Sequence, residues 1–305
     1  MILKWLNIYL GGACNGSCKY CFRNFDKKPN VPNIATDEFK EYLKEYSFFY
    51  KRVVFIGGEP LLYFKTIKDC CTVIPKFVPK RIMTNGILLT KEVVEYCNEN
   101  NIEIALSYDG KSTKKNRGCD ILDKKRDVIP LISKLYISSV ISGENIDMIE
   151  VYNDIQEKLN NKPFNHIVNV YLNKNDDDRF LDKFDYKVFR KNLVEYQTVY
   201  KSKNVSVKQY KDCDDVLGTM VLLNGDIVCL TTFKKYGTVF DDEDIVHKKI
   251  RDDFKKCSGC KYTSVCFGKR QLSNKHFCNA EFAIIEASNY LENEKRYENL
   301  YRNGY

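Results

Sequence analysis

The sequence predicts an α/β fold: a partial (β/α)6 TIM-like barrel, followed by a small cysteine-rich C-terminal extension that contains a β-hairpin. Three observations predict it. Strand-like and helix-like segments alternate up to about residue 204. The alternation then gives way to a hairpin signal. Beyond it, residues 257–278 form a loop-like run, dense in cysteine and without a regular apolar period.

The strand-like runs are "WLNIYL" (5–10), "RVVFI" (52–56), "KRIMT" (80–84), "IEIALS" (102–107), "LYISSVI" (135–141) and "HIVNVYL" (166–172). Helix-like stretches lie between them. Thr36 and Thr90 each stand ahead of apolar residues at helical spacing, as N-caps do. Two more helices are expected from Asn145 and from Asp185. Such alternation implies a parallel sheet with helices on its outside. Six units in about 200 residues suit an open, partial barrel better than a closed eight-fold one. Next, "GTMVLLNGDIVCL" (218–230) reads as a hairpin turning at Asn224-Gly225. The cysteine-dense run looks held together by metal rather than by a core. A last helix closes the chain. The expected units are 1–204, 205–281 and 282–305.

The 305 residues are 44% hydrophobic and 30% charged, enough for a real core under a well-solvated surface. The formal charge is +8, but lysines and acids are interleaved and no basic block appears, which reads as a lysine-rich surface rather than a nucleic-acid footprint. No apolar run approaches a membrane span. "MILKWLNIYLGGAC" is too short and too interrupted, by Lys4 and Asn7, for a secretory leader. A cytoplasmic protein is expected, and in a reducing compartment its 13 cysteines are not expected as disulfides. Cys70, Cys71, Cys97 and Cys119 read as packing residues.

In parallel sheets of this kind ligands sit at the carboxyl ends of the strands. After the first strand comes "CNGSCKYCF", with Cys14, Cys18 and Cys21; after the second "GGEP" (57–60); after the third "TNG" (84–86); after the fourth "SYDG" (107–110). All four loops should converge on one face, with a metal site and a bound small molecule. Three is an awkward number of thiols. Three cysteinates can hold three irons of a 4Fe–4S cube and leave the fourth iron open; zinc completed from elsewhere fits the spacing as well.

Four motifs in order, each at an expected strand end, resemble the radical S-adenosylmethionine (SAM) superfamily: C-x3-C-x2-C with Tyr20 before the third cysteine, "GGEP", "SYDG", and Arg117 in "KKNRG". The resemblance covers most of residues 1–200. It implies that the open iron of a Cys14/Cys18/Cys21 cluster chelates SAM. The reduced cluster would break a carbon–sulfur bond, and the resulting 5′-deoxyadenosyl radical would take a hydrogen atom from the substrate. By position, Gly57, Gly58 and Glu59 would hold the SAM amino group, Ser107 and Arg117 the carboxylate and ribose side, and Tyr20 and Phe22 would border the adenine. Asn85 is a further candidate for the same pocket. Glycines allow close backbone approach, and a fixed guanidinium suits a carboxylate. The bland readings are a helix N-terminal charge for Glu59 and a surface arginine for Arg117.

Cys257-x2-Cys260-x5-Cys266, with Cys278 after it and "NGDIVC" before, is similar to the SPASM or twitch extension, which binds auxiliary iron–sulfur clusters. The chain departs from the full pattern at Arg270, where a further cysteine is usual. Either Cys257, Cys260, Cys266 and Cys278 hold one cluster, or Cys213 and Cys229 join two of the later cysteines. Structural zinc is the alternative for the whole group.

That branch consists mostly of enzymes that cross-link, oxidise or epimerise residues of peptides and proteins. A peptide or protein substrate is therefore expected. The implied partners are an electron donor such as flavodoxin or ferredoxin and, since the chain opens directly on the first strand, a separate peptide-recognition partner. Small-molecule dehydrogenation or rearrangement is the alternative. RNA modification is a weaker one, resting on the positive charge and 21 tyrosines. The residue that quenches the substrate radical is not assigned. Asp109 reads as part of the turn after the fourth strand, and Cys119 as packing rather than a hydrogen-atom donor.

Overall fold

The computed structural model describes residues 5–21, 31–170, 188, 191–196, 219–229 and 233–253. Phe22, Cys213, Cys257, Cys260, Cys266, Cys278 and the closing helix lie outside the described residues.

Six strands are parallel and adjacent in chain order: β1 (Trp5–Tyr9), β2 (Arg52–Ile56), β3 (Lys80–Thr84), β4 (Ile102–Ser107), β5 (Leu135–Ile141) and β6 (Asn165–Val170). The helices between them are α1 (Asp37–Tyr46), α2 (Phe64–Val73), α3 (Lys91–Glu99), α4 (Thr113–Arg117), α5 (Ile121–Lys124) and α6 (Met148–Lys158). Residues 191–196 form α7. The expected N-caps at Thr36 and Thr90 are present, their hydroxyls accepting from Phe39 N and Val93 N. The sixth helix begins later than expected. Asp147, not Asn145, caps α6 by accepting from the N–H groups of Ile149 and Glu150. Asn145 instead donates to the carbonyls of Asp109 (3.2 Å) and Val140 (3.0 Å), so its amide ties together the loops after β4 and β5. α4 and α5, of five and four residues, are too short to carry a periodic signal.

β7 (Thr219–Leu222), β8 (Asp226–Cys229) and β9 (Lys235–Thr238) form the expected hairpin and one strand more, followed by α8 (Glu243–Asp253). Gly225 takes φ +85° in the turn, where a side chain would be strained. This unit does not stand apart. β7 pairs in parallel with β1, Ile8 opposite Val221 and Tyr9 opposite Leu222, so the nine strands form one sheet in the order β6-β5-β4-β3-β2-β1-β7-β8-β9.

Side chains alternate along each strand. One face carries Leu6, Ile8, Phe55, Ile82, Ile104, Leu106 and Ile137, all at most 2% exposed, and packs against Phe39, Leu43, Ile67, Val94 and Ile155 of the helices. Each such side chain contributes about 1.5–3 kcal/mol by leaving water. The opposite face is polar at both ends. At the N-terminal ends of the strands, Glu103 accepts from Arg52 Nη2 (3.0 Å) and Arg81 Nε (2.8 Å), and the Arg81 guanidinium lies 3.8 Å from the centroid of the Tyr136 ring. This paired charge cluster plugs that end. Toward the C-terminal ends the same face carries Ser107, Ser138 and Asn169. Asn169 donates to the Ser138 hydroxyl at 3.0 Å.

His166 of β6 is fully buried on the helix side. Ser139 donates to the Tyr108 carbonyl, so its hydroxyl accepts from His166 Nε2 (2.8 Å), and Nδ1 accepts from the hydroxyl of Tyr196 in α7 (2.5 Å). Burial lowers the imidazole pKa to about 3, from an ordinary 6.5. The folded protein therefore stays unprotonated where the unfolded chain takes up a proton. Stability is expected to fall by about 1.4 kcal/mol per pH unit below 6.5 on account of this one group, and to be indifferent to it above. Urea denaturation from pH 7 to 4.5 checks this: a His166→Gln variant should lose about one proton's worth of slope, and a variant as pH-sensitive as the parent would contradict it.

Candidate active site

Two loops at the C-terminal end of the sheet are strapped together backbone to backbone. Gly58 N donates to Gly11 O and Glu59 N to Ala13 O, both at 2.8 Å. A Cβ on Gly58 would stand 2.3 Å from Ala13 O and 2.5 Å from Gly12 O. On Gly57 it would stand 2.8 Å from Gly11 O. These glycines let the cysteine loop lie directly on the loop after β2. Tyr63 supports the same stretch, its hydroxyl accepting from Ala13 N at 3.1 Å. No sequence signal marked Tyr63, because its role depends on a partner 50 residues away.

Glu59 is 1% exposed. Its Oε1 accepts from Leu61 N (3.0 Å) and the Thr84 hydroxyl (2.6 Å), and its Oε2 from Asn85 N (2.8 Å). Burial raises its pKa, and these three hydrogen bonds oppose the rise. The carboxylate thus joins the ends of β2 and β3 and caps the turn at Pro60. Asn85 reaches from there to the cysteine loop, with Nδ2 donating to Asn15 Oδ1 at 2.9 Å.

The loop after β4 is organised by Asp109, which is fully buried. Its carboxylate accepts from Arg117 Nε (2.7 Å) and Nη2 (2.9 Å), from Val140 N (2.8 Å) and from the Tyr20 hydroxyl. Arg117 also lies over the Tyr20 ring, 5.3 Å from its centroid. Burial works against the guanidinium's charge, and Asp109 and Tyr20 more than restore it, so Arg117 stays charged. The sequence marks Asp109 only as a turn residue; in the structure it fixes both Tyr20 and Arg117. Ser107, half-buried at the end of β4, lies opposite Ser138 of β5. Tyr108 points to the helix side and donates to Asp154 at 2.7 Å.

Cys14 is exposed and Cys18 and Cys21 are half-buried on one short loop. Burial raises the Cys18 thiol, Arg117 lowers it, and the neighbouring Cys21 and Cys14 raise it again. Lys19 N donates to the carbonyl of Asn116 (2.9 Å), which holds the loop against α4. Asn116 is fully buried, with neither end of its amide hydrogen-bonded among the described residues. Among the described residues no three His, Cys, Asp or Glu side chains converge on a single-ion centre. A cube taking one thiolate on each of three irons needs no such convergence, and an all-thiol donor set beside a cation fits it.

Cys229 lies elsewhere. It pairs with Thr219 at the start of β7, the end of the sheet away from the cysteine loop, and packs with Tyr236, Val246 and Ile250. No helix among the described residues is long and apolar enough to cross a membrane.

Parallel strands, a three-thiol loop after β1 and a glycine-glycine-glutamate loop strapped to it are the arrangement that the resemblance to the radical SAM superfamily leads one to expect. Residues 8–155 match the radical SAM superfamily, and the chain carries a domain of that superfamily, which is an enzyme domain. Such a domain implies a 4Fe–4S cluster and SAM. The chain is 24% identical over 270 residues to the radical SAM cyclopropyl synthase TigE of Paramaledivibacter caminithermalis, covering 72% of this chain and 55% of that protein. It is 30% identical over 132 residues to an S-adenosylmethionine-dependent nucleotide dehydratase of Flammeovirga pacifica, covering 38% of this chain and 42% of that protein. The chain thus spans about half the length of the curated relatives it matches. Its fold resembles native anSMEcpe with bound AdoMet and a Cp18Cys peptide, with a TM-score of 0.64 at 19% identity over 98% of this chain and 99% of that one.

Proposed function

We propose that the protein reductively cleaves SAM and removes a hydrogen atom from a peptide or protein, leaving a cross-link, an oxidised side chain or an epimerised residue. The observation that carries the first half is the three-thiol loop tied through Gly58 and Glu59 to the loop after β2. A 4Fe–4S cluster held by Cys14, Cys18 and Cys21 would supply the one-electron reduction that cleaves bound SAM. The chain's own residues bind and orient. Gly57, Gly58 and Glu59 border the amino group, with the Glu59 carboxylate acting as the brace that holds this loop to β3. Ser107 and the charged Arg117 face the carboxylate and ribose, and Asp109 holds Arg117 in place. Tyr20 and Phe22 border the adenine, and Asn85 completes that wall. Residues 205–281 act as the auxiliary iron–sulfur unit of the SPASM or twitch kind.

The peptide-bound anSMEcpe, of the same fold, supports a peptide substrate. The hydroxyl and amide groups of Ser138 and Asn169 above the barrel floor suit an uncharged polar chain. The relation to a nucleotide dehydratase favours a second reading, a small-molecule substrate.

Anaerobically reconstituted, reduced protein is expected to convert SAM to 5′-deoxyadenosine, and the Cys14→Ala/Cys18→Ala/Cys21→Ala variant to form none. Mass spectrometry of peptides encoded beside this gene then separates the outcomes. A loss of two hydrogens means cross-linking or oxidation, and deuterium uptake without mass change in ordinary water means epimerisation. Substantial zinc with no SAM cleavage would sink the reading. Turnover of a nucleotide with every such peptide unchanged would move it to the small-molecule alternative.

A further inference from the structure

The three thiols of the loop are not equivalent. Cys14 Sγ is approached by two N–H donors, Gly16 N at 3.3 Å and Asn85 Nδ2 at 3.9 Å. Among the described residues, no hydrogen bond reaches the sulfurs of Cys18 and Cys21. Asn85 is also unusually well aimed. Its Oδ1 accepts from Ile87 N at 2.9 Å, and its backbone N–H is held by Glu59 Oε2 at 2.8 Å. Turning the amide over would set its oxygen against Asn15 Oδ1 and its NH2 against the Ile87 N–H, two mismatches at once. Nδ2 therefore points at the cysteine loop, one proton on Asn15 and the other toward the sulfur. Gly16 makes room for it: a Cβ there would stand 3.2 Å from Asn85 Nδ2 and 3.6 Å from Cys14 Sγ.

Adding an electron to an iron–sulfur cluster places more negative charge on its sulfurs. A fixed N–H aimed at one of them stabilises the reduced form more than the oxidised form and raises the reduction potential. The geometry points to Asn85 as a positioning residue that sets the potential of the cluster on Cys14, Cys18 and Cys21 through the Cys14 sulfur. The inference rests on the cluster reading above. It assigns Asn85 to the cluster rather than to the SAM pocket alone.

The test is a redox titration of the reconstituted protein, without SAM, followed by the electron paramagnetic resonance signal of the reduced cluster. The Cys14→Ala/Cys18→Ala/Cys21→Ala variant identifies which signal belongs to this site. Asn85→Ala is expected to lower the reduced-to-oxidised ratio at a fixed potential about tenfold, which for a one-electron couple is 59 mV. Gly16→Ala, which keeps the Asn85 bonds to Ile87 and Glu59 but crowds its NH2, is expected to shift the same way by less. If Asn85→Ala takes up no cluster, Gly16→Ala decides alone. A parent signal that depends on the three cysteines, with an unchanged potential in the variants that carry the cluster, overturns the proposal and leaves the cluster reading standing. A parent with no signal dependent on the three cysteines overturns both.

Discussion

Gly58→Ala is expected to take the site apart without touching a thiol. The added methyl would stand 2.3 Å from one backbone carbonyl and 2.5 Å from the next, and neither is the end of a flexible side chain. Either the cysteine loop or the loop after β2 must move by about an ångström, since carbon and oxygen do not approach closer than roughly 3 Å. The two 2.8 Å bonds from Gly58 N and Glu59 N would break or lengthen. Each is worth about 1 kcal/mol, and overpacking adds about 1–3 kcal/mol, so a destabilisation of about 3–5 kcal/mol is expected. Iron content after anaerobic reconstitution should fall sharply as well. Gly57→Ala, with its nearest contact at 2.8 Å, should do the same to a smaller degree. Urea denaturation and iron analysis of the two variants check the order. Parent-like behaviour of Gly58→Ala would mean that the loops are not strapped in this way.

Asp109→Ala should be about as severe, for an electrostatic reason. It removes four contacts at once: the two that Arg117, 12% exposed, donates to this carboxylate, the one from the Val140 N–H and the one from the Tyr20 hydroxyl. Breaking one side of a buried ion pair costs about 3–5 kcal/mol, mostly because the surviving charge is left unpaired. The double variant Asp109→Ala/Arg117→Met removes that charge and should recover part of the loss. A double-mutant cycle reads the coupling directly. A single variant within about 1 kcal/mol of the parent would show that Arg117 finds another partner. Reduced SAM binding in Asp109→Ala would extend the same logic to the pocket, since this carboxylate accepts both hydrogen bonds that hold the Arg117 guanidinium among the described residues.

Much of this architecture was legible before any coordinates. All six parallel strands fall where the runs of β-branched and aromatic residues placed them. Thr36 and Thr90 cap their helices because an N-cap is a local interaction, complete within four residues. The four strand-end motifs converge because parallel strands with outside helices put every such loop on one face. What the sequence did not reveal has the opposite origin. Asn145 looks like a cap, but its amide is claimed by carbonyls of Asp109 and Val140 that only the sheet brings near. The hairpin read as the start of a separate unit, yet β7 extends the sheet beside β1, a pairing between residues more than 200 apart. Glu59 and Arg117 were expected to border SAM, and no local pattern named the scaffold partners that hold them. One braces two strand ends, and the other is held by Asp109.

What the sequence by itself determined is the order of strands, the place of the cysteine loop and the class of chemistry, because these rest on short-range patterns and on spacing within one loop. Only the tertiary structure decided which groups serve the scaffold and which remain for a ligand. Those assignments depend on burial and on hydrogen bonds between residues as far apart as Tyr20 and Asp109, or Asn85 and Cys14. A polar side chain's role is set by the partner that reaches it, and no local pattern encodes a partner on another strand.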